Sequence, residues 1–393
     1  MTTGTAIRVW SMLLLPVALA GCHGGLRSAQ ANFRAGDLQR SEATLAELAE
    51  KEGAQKADAV IVQLEYGSIL HHRGKFEEST EAFLRAEQRL AEIDLQPKFR
   101  FTDAGAGLLT NPSEQRYLGT PFDRVMAPFY RGLNAMLAGD MTTPRQAFMA
   151  ARNRQAETIA FRRKQIERTR RELAQTNEAL AATHTDGIRG GVDYGQTLEN
   201  EAAGTKIAEH YGALEQYEAY GEFAVPVVDL TQAIYLLGTQ KTAGDADTAR
   251  ALLRRLAGMV PDNPYVPADL VAADEAARGR GLEGVTYVLF APGTAASLRE
   301  IRINLPLFLV TDDVDYVGVA FPILRFHDAY TPYLEVAADE AVLDTRVIAD
   351  MDRIVAAEFN AELPSILTRH IASAAAKHTA AWAVSQAADN VWA

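Results

Sequence analysis

The chain has one cysteine, Cys22, and it closes the run Leu19-Ala20-Gly21-Cys22 at the end of a short apolar stretch. In bacterial lipoprotein maturation a thiol so placed accepts a diacylglyceryl group, and small residues such as Ala20 and Gly21 let a signal peptidase cut on its amino side. Ahead of this lipobox lie Arg8, the only charged residue among the first 26, and an apolar segment from Val9 to Ala20 broken by Ser11 and Pro16. These are the n-region, h-region and cleavage site of a secretory leader. About a dozen residues rise only about 18 Å as a helix against about 30 Å of hydrocarbon, too short for a permanent span. The sequence therefore predicts a leader over 1–21, cut before Cys22, and a mature chain carrying covalent diacylglycerol and an N-acyl chain. At about 0.8 kcal/mol per buried methylene, two or three acyl chains hold essentially for good where one holds marginally. His23 follows the cysteine where Asp would favour inner-membrane retention in enteric bacteria. The expected location is the outer membrane, facing the periplasm.

Other chemistry is sparse. There is no second thiol, no His-Glu-x-x-His, no Gly-x-Ser-x-Gly and no Gly-x-Gly-x-x-Gly at a strand-to-helix step, so no catalytic residue is assigned. Gly187-Ile188-Arg189-Gly190-Gly191 lacks the Gly-Lys-Ser/Thr ending of a phosphate loop, which argues against nucleotide binding. Asp312-Asp313-Val314-Asp315 lacks the Gly and distal Glu of a calcium loop and reads as a solvated turn between strands. His71 and His72 are adjacent, so on a helix they point about 100° apart and do not easily share a metal. His327-Asp328 is equally unspecific. No metal or cofactor is expected beyond the lipid on Cys22.

The elements that position these residues must fold without disulfides. Removing the leader leaves 372 of 393 residues, enough for two domains or one extended solenoid. The leader contains Arg8 and no acid, so the net charge moves from -12 to -13, which argues against general nucleic-acid binding. Many alanines with few aromatics suggest closely packed helices.

A pattern of glycine, a polar residue and a helix with small and aromatic positions at fixed offsets occurs four times. The fullest copy is Tyr66-Gly67-x-x-Leu70-x-x-x-Gly74-Lys75-Phe76-x-x-Ser79-x-x-x-Phe83-x-x-Ala86, the offsets of a tetratricopeptide repeat. The others turn at Gly36-Asp37, followed by Ser41, Leu45 and Leu48, at Gly139-Asp140, followed by Phe148 and Ala151, and at Gly244-Asp245, which runs through Ala249, Leu253 and Leu256 to Pro261. The turns lie 38, 65 and 105 residues apart, so the array is interrupted.

The predicted fold is mainly α: an interrupted tetratricopeptide-like solenoid of helical hairpins, then a small C-terminal antiparallel β-sheet module with terminal helices. Hairpins occupy 22–95, a Gly- and Pro-containing connection 96–121, and further repeats 122–275. The latter include a long basic helix over 150–183, with Ile159, Ile166, Leu173 and Leu180 seven apart, and a Gly-rich loop over 186–204. In the sheet module, 281–346, Val285–Phe290, Arg299–Asn304, Tyr316–Phe321 and Tyr333–Val336 read as strands. Residues 347–393 read as helices, bent or restarted at Pro364. The chain stops at Val391-Trp392-Ala393 without a polar tail and reads as incomplete.

With these features in view, the chain resembles a family of uncharacterised bacterial lipoproteins with tetratricopeptide-like repeats. The likeness rests on Leu133-Asn134-Ala135-Met136-Leu137-Ala138-Gly139-Asp140, Leu305-Pro306, Ala320-Phe321-Pro322, and Asp350-Met351 through Glu358-Phe359 to Leu363-Pro364. It implies an envelope protein similar to those encoded near the lipoprotein activator of a penicillin-binding protein, with a role around peptidoglycan synthesis. Family members run past the end of this chain.

The sequence thus predicts a scaffold that binds another envelope protein and touches the membrane only through its lipid. An accessory role in outer-membrane barrel assembly is one alternative. The other is a wall glycan or peptide binder, or an enzyme, using the C-terminal sheet; its mark would be a deep polar pocket with two convergent carboxylates.

Overall fold

A computed structural model describes residues 22–51, 58–95, 117, 119–160, 200–221, 224–242, 244–280, 285–308, 314–338, 341–364, 366–367, 370–371 and 374. The expected leader, with Leu19, Ala20 and Gly21, lies outside these residues. So do 96–116 of the expected connection, 161–183 of the expected long basic helix, 186–199 of the expected Gly-rich loop, Asp312 and Asp313, and 375–393 of the expected C-terminal helices.

The chain is mainly helical with a small antiparallel β part. Helices α1 (Cys22–Arg34), α2 (Leu38–Lys51), α3 (Ala59–His72), α4 (Phe76–Leu95) and α5 (Pro121–Leu137) are followed by α6 (143–160). After these come α7 (Glu201–Tyr211), which tightens into a 3-10 turn over Gly212–Gln216, then α8 (Pro226–Thr239), α9 (Asp245–Met259) and α10 (Val266–Ala277). Strands β1 (Ser297–Phe308), β2 (Val314–Arg325), β3 (Glu335–Ala338) and β4 (Ala341–Asp344) precede a last helix, α11 (351–364), and helical residues occur on both sides of Pro364.

The hairpin turns follow from one backbone device. Gly36, Gly74 and Gly139 have φ of 79°, 72° and 81°, a left-handed conformation that glycine adopts without a Cβ clash. Each donates its N–H to the carbonyl three residues back, and the next residue donates to the carbonyl five back: Asp37 to Asn32, Lys75 to Leu70, Asp140 to Ala135. This is the Schellman ending, which satisfies carbonyls that the helix leaves open. Gly279 makes the same turn after α10. Gly244 does not. Its φ is -84°, and among the described residues between α8 and α9 the left-handed one is Gln240, at φ 37°. Starts are also encoded. Thr120 and Asp123 form a reciprocal capping box with Pro121 at the first position of α5, and Asn200 accepts from the N–H groups of Ala202 and Ala203.

Neighbouring helices pack in sequence order, α1 on α2, α2 on α3, α3 on α4 and α4 on α5, then α8 on α9 and α9 on α10. Small residues set the approach. A Cβ on Gly67 would lie 3.0 Å from the Phe83 ring, and one on Gly132 would lie 2.6 Å from Phe148. Ser41 and Ser79 each donate to a carbonyl twelve residues back in the preceding helix, Ala29 at 2.8 Å and Gly67 at 2.6 Å. One apolar core runs from Val125 through Phe148 and Tyr235 to Leu256, Ala276 and Ile354. A smaller one joins Ala29, Leu45 and Ile69.

A bidentate ion pair locks the two halves of the larger core. Arg145 of α6 donates to both carboxylate oxygens of Asp245 in α9, at 3.0 and 2.5 Å, while Thr242 donates from backbone and hydroxyl. Those donors, Arg145 foremost, hold the Asp245 carboxyl down to about 2.

The β part differs from the expected single module. It forms two separate two-stranded sheets, β1–β2 and β3–β4, and Val285–Phe290 is in neither. Both main strands are twelve residues long. Nor does the ribbon stand apart from the helices: Ile303, Leu305, Val319 and Phe321 share a core with Ala203 and Tyr211 of α7, Leu214, and Ala356 and Phe359 of α11. A two-stranded ribbon cannot bury its apolar face by itself, so it takes helices from both sides of its own sequence.

Candidate functional site

The predicted positions are distributed along the hairpins. Cys22 is the first residue of α1, and seven residues on, Ala29 is 1 % exposed within the N-terminal core. Seven helical residues rise only about 10 Å. Gly36, Gly74 and Gly139 mark successive turns, and Gly244 precedes α9.

The first helices of three hairpins share a polar line. Gln30 of α1 donates to Glu65 of α3 at 2.9 Å, and burial pushes the Glu65 carboxyl up, with the charge of Asp123 in α5 adding to the effect. Tyr117 donates to Asp123 at 2.5 Å, so the end of the 96–121 connection lies against α5, while Gly119 packs on Leu90 of α4.

A buried relay pins α3, α4 and α5 together. His71 Nδ1 lies 2.6 Å from Asn134 Oδ1, Asn134 Nδ2 donates to Ser79 Oγ at 2.8 Å, and Ser79 donates onward to Gly67. Because Asn134 already donates through Nδ2, its Oδ1 must accept, which places a proton on His71 Nδ1. Burial holds the imidazole pKa below its usual value, so His71 is a neutral donor, not a ligand paired with His72. The two rings lie 5.7 Å apart at 85°, and His72 turns to the Ser68 carbonyl and the Phe33 ring.

A second buried polar group sits where α6, α8 and α9 meet. Asp229 of α8 is 0 % exposed, and neither of its carboxylate oxygens has a hydrogen-bond partner among the described residues. Its nearest ion-pair partner is Arg255 Nε at 3.4 Å. Gln155 of α6 accepts from the Val225 N–H at the start of α8, yet its Nε2 and the Oε1 of Gln232 are also unpartnered. Burial pushes the Asp229 carboxyl up, and Arg255 and Arg152 only partly oppose it. The folded chain therefore holds this proton to higher pH than the unfolded chain, and stability falls as pH rises from about 4 through the raised value. We expect Asp229→Asn to stabilise the protein by about 1–2 kcal/mol at pH 8. The gain, read as a shift in thermal midpoint, should shrink towards zero near pH 4; equal shifts at both pH values would refute the assignment.

An open cleft of about 480 Å³ lies between the end of the 3-10 turn that follows α7 and the start of α11, lined by Gln216, Tyr217, Glu218, Asp350 and Arg353. Arg353 lies 4.0 Å over the Tyr220 ring and donates to the Glu218 carbonyl. Burial, then Asp352, Asp350 and Asp328, raise the Tyr217 phenol. Burial chiefly, and the charge of Asp350, raise the carboxyl of Asp352, which is not among the residues that line the cleft. Both have local work: Asp350 accepts from the Arg353 N–H, and Asp352 accepts from Ala296 N–H at 2.6 Å, tying α11 to the start of β1. Ser297 Oγ lies 3.0 Å from His327 Nε2, an arrangement that can relay a proton.

Sequence reasoning passed over Asp229, Asn134 as a donor, and the Ser297–His327 pair. Asp229 alone carried a local signal, an acid inside the apolar run Val227-Val228-Asp229-Leu230. Among the described residues, no group of three or more His, Cys, Asp or Glu is placed to hold a metal ion, and no helix is long and apolar enough to cross a membrane.

No family model matches the chain, and neither the curated proteins nor the solved structures compared with it give a match.

Proposed function

We propose that the protein is an outer-membrane lipoprotein, facing the periplasm, whose hairpins stack as an interrupted tetratricopeptide-like solenoid that holds another envelope protein. Its role is to bind, not to catalyse. The observation that carries this reading is repetition in space: one turn at Gly36, Gly74 and Gly139, one serine-to-carbonyl bond at Ser41 and Ser79, and one ring over glycine at Gly67 and Gly132. Each such hairpin leaves an apolar side for its neighbour to cover, and stacks of this kind present their first helices along a common face. The line from Gln30 through Glu65 to Asp123 lies on those first helices. The resemblance described above points the partner towards peptidoglycan synthesis.

The test is site-specific photo-crosslinking in living cells. A photoreactive residue at Ser68, on the first-helix side, should capture one defined envelope protein, whereas one at exposed Glu81 on α4 should not. Equal capture at both positions, or none at Ser68, refutes the scaffold. A captured barrel-assembly component would move the same scaffold to that pathway. A second reading, binding of wall glycan or peptide, is favoured by the cleft in which Asp350 and Arg353 lie beside Tyr217. Equilibrium dialysis with soluble wall fragments tests it: binding lost in Arg353→Ala supports it, and no binding by the unaltered chain removes it.

A further inference from the structure

The two long edges of the β1–β2 ribbon are not equivalent. Pro306 and Pro322 have no N–H to give to a ladder, so both must occupy positions whose backbone groups point away from the partner strand. Pro322 faces Glu300, and the register then turns the backbone N–H and C=O of Leu298, Glu300, Arg302 and Asn304 outward on β1, and those of Gly318, Ala320, Pro322 and Leu324 outward on β2. The β2 edge is covered. His370 Nδ1 lies 2.6 Å from the Ala320 carbonyl, Tyr211 donates to the Pro322 carbonyl at 2.7 Å, and Pro322 itself blocks a further bond.

On β1, α7 packs against the strand and its Lys206 donates to the Asn304 carbonyl at 2.8 Å. Among the described residues, no backbone partner outside the ribbon reaches Leu298, Glu300 or Arg302, and all three side chains are exposed, Leu298 at 66 %. Glu300 and Arg302 are opposite charges two residues apart, so they stand on one face of the strand, and neither makes an ion pair among the described residues.

We propose that this edge pairs with the same edge of a second copy of the chain, antiparallel about a twofold axis through Ile301, to make one continuous four-stranded sheet. The occupant follows from charge and register. About Ile301, Glu300 of each copy lies opposite Arg302 of the other, twice per pair, and each couple can exchange two backbone hydrogen bonds. An axis through Glu300 would set carboxylate against carboxylate, and one through Arg302 would set guanidinium against guanidinium and bring Pro306 opposite Leu298. Only the Ile301 register joins opposite charges and keeps the prolines clear. The pairing makes no use of the helical hairpins and stands whether or not they hold a partner.

The experiment uses the mature chain carrying Cys22→Ser, followed by sedimentation velocity from micromolar to millimolar concentration. The parent should be a reversible dimer. Arg302→Glu and Glu300→Arg should each weaken self-association about tenfold or more, since both facing pairs become like-charged. An equimolar mixture of the two variants should restore association, because every facing pair is again opposite in sign. In the same Cys22→Ser background, Ile301→Cys should oxidise to a covalent dimer, since facing positions that are not hydrogen-bonded lie about 4.5 Å apart at Cα, within disulfide reach. The mixture and the disulfide keep the test decisive even where one reversal is poorly folded. A monomer at every concentration, a dimer indifferent to both reversals, a mixture that stays monomeric, or Ile301→Cys linking in cells to a different protein would each overturn the proposal.

Discussion

Exported behind an ordinary secretory leader, the Cys22→Ser chain should leave the membrane pellet almost entirely and collect in the soluble periplasmic fraction. The unaltered chain, exported with its own leader, should stay in the pellet through a high-salt wash and incorporate labelled palmitate. The expected change is close to all or none, because two or three acyl chains of about 0.8 kcal/mol per methylene outweigh any peripheral contact. Serine keeps the size of the side chain and removes only the thiol that forms the thioether. Helix α1 already reaches the core at Ala29, packed with Leu45 and Ile69, so the thermal midpoint should not move. Persistence of the variant in the pellet would sink the lipid-anchor assignment, as would an unaltered chain that carries no palmitate.

The second large effect belongs to Phe148. It is 0 % exposed, lies directly over Gly132, and meets Phe129 at 6.3 Å and Tyr235 at 6.2 Å between ring centroids. Three helices, α5, α6 and α8, therefore close on one ring. Phe148→Ala should cost about 3–5 kcal/mol in urea unfolding, the range for emptying a fully buried aromatic site. Gly132→Leu should also destabilise, because its first side-chain atom would fall 2.6 Å from the ring. The two defects are complementary in volume, so the double variant should be more stable than the sum of the single losses. Strict additivity would mean that ring and glycine are not the coupled contact described, and a loss below about 1 kcal/mol for Phe148→Ala would mean that the site collapses freely.

These expectations also show what was legible in the amino-acid order. The Schellman turns at Gly36, Gly74 and Gly139 could be read, because a left-handed residue between two amphipathic helices almost demands glycine. Gly244 could not, because its neighbour Gln240 takes that conformation while the glycine sits in an ordinary one. The strands were read too short for a related reason. Pro306 and Pro322 look like breakers, yet each lies where the strand has no N–H to give to its partner. The ribbon's core partners, from α7 to α11, lie far off on both sides in sequence, and no local period announces them. The same holds for the cleft, whose Tyr217 follows α7 and whose Asp350 and Arg353 lie at the start of α11, and for Ser297 and His327, thirty residues apart.

The Arg145–Asp245 pair has a mechanical meaning. It joins residues one hundred apart in sequence, so α6 and α9 are coupled through side chains as well as along the backbone that runs between them. A load applied between α6 and α9 would pass through this contact, with two bonds sharing it. Acidification towards the Asp245 value of about 2 would remove one sign of charge from the contact and loosen the joint before the hydrophobic layers on either side give way.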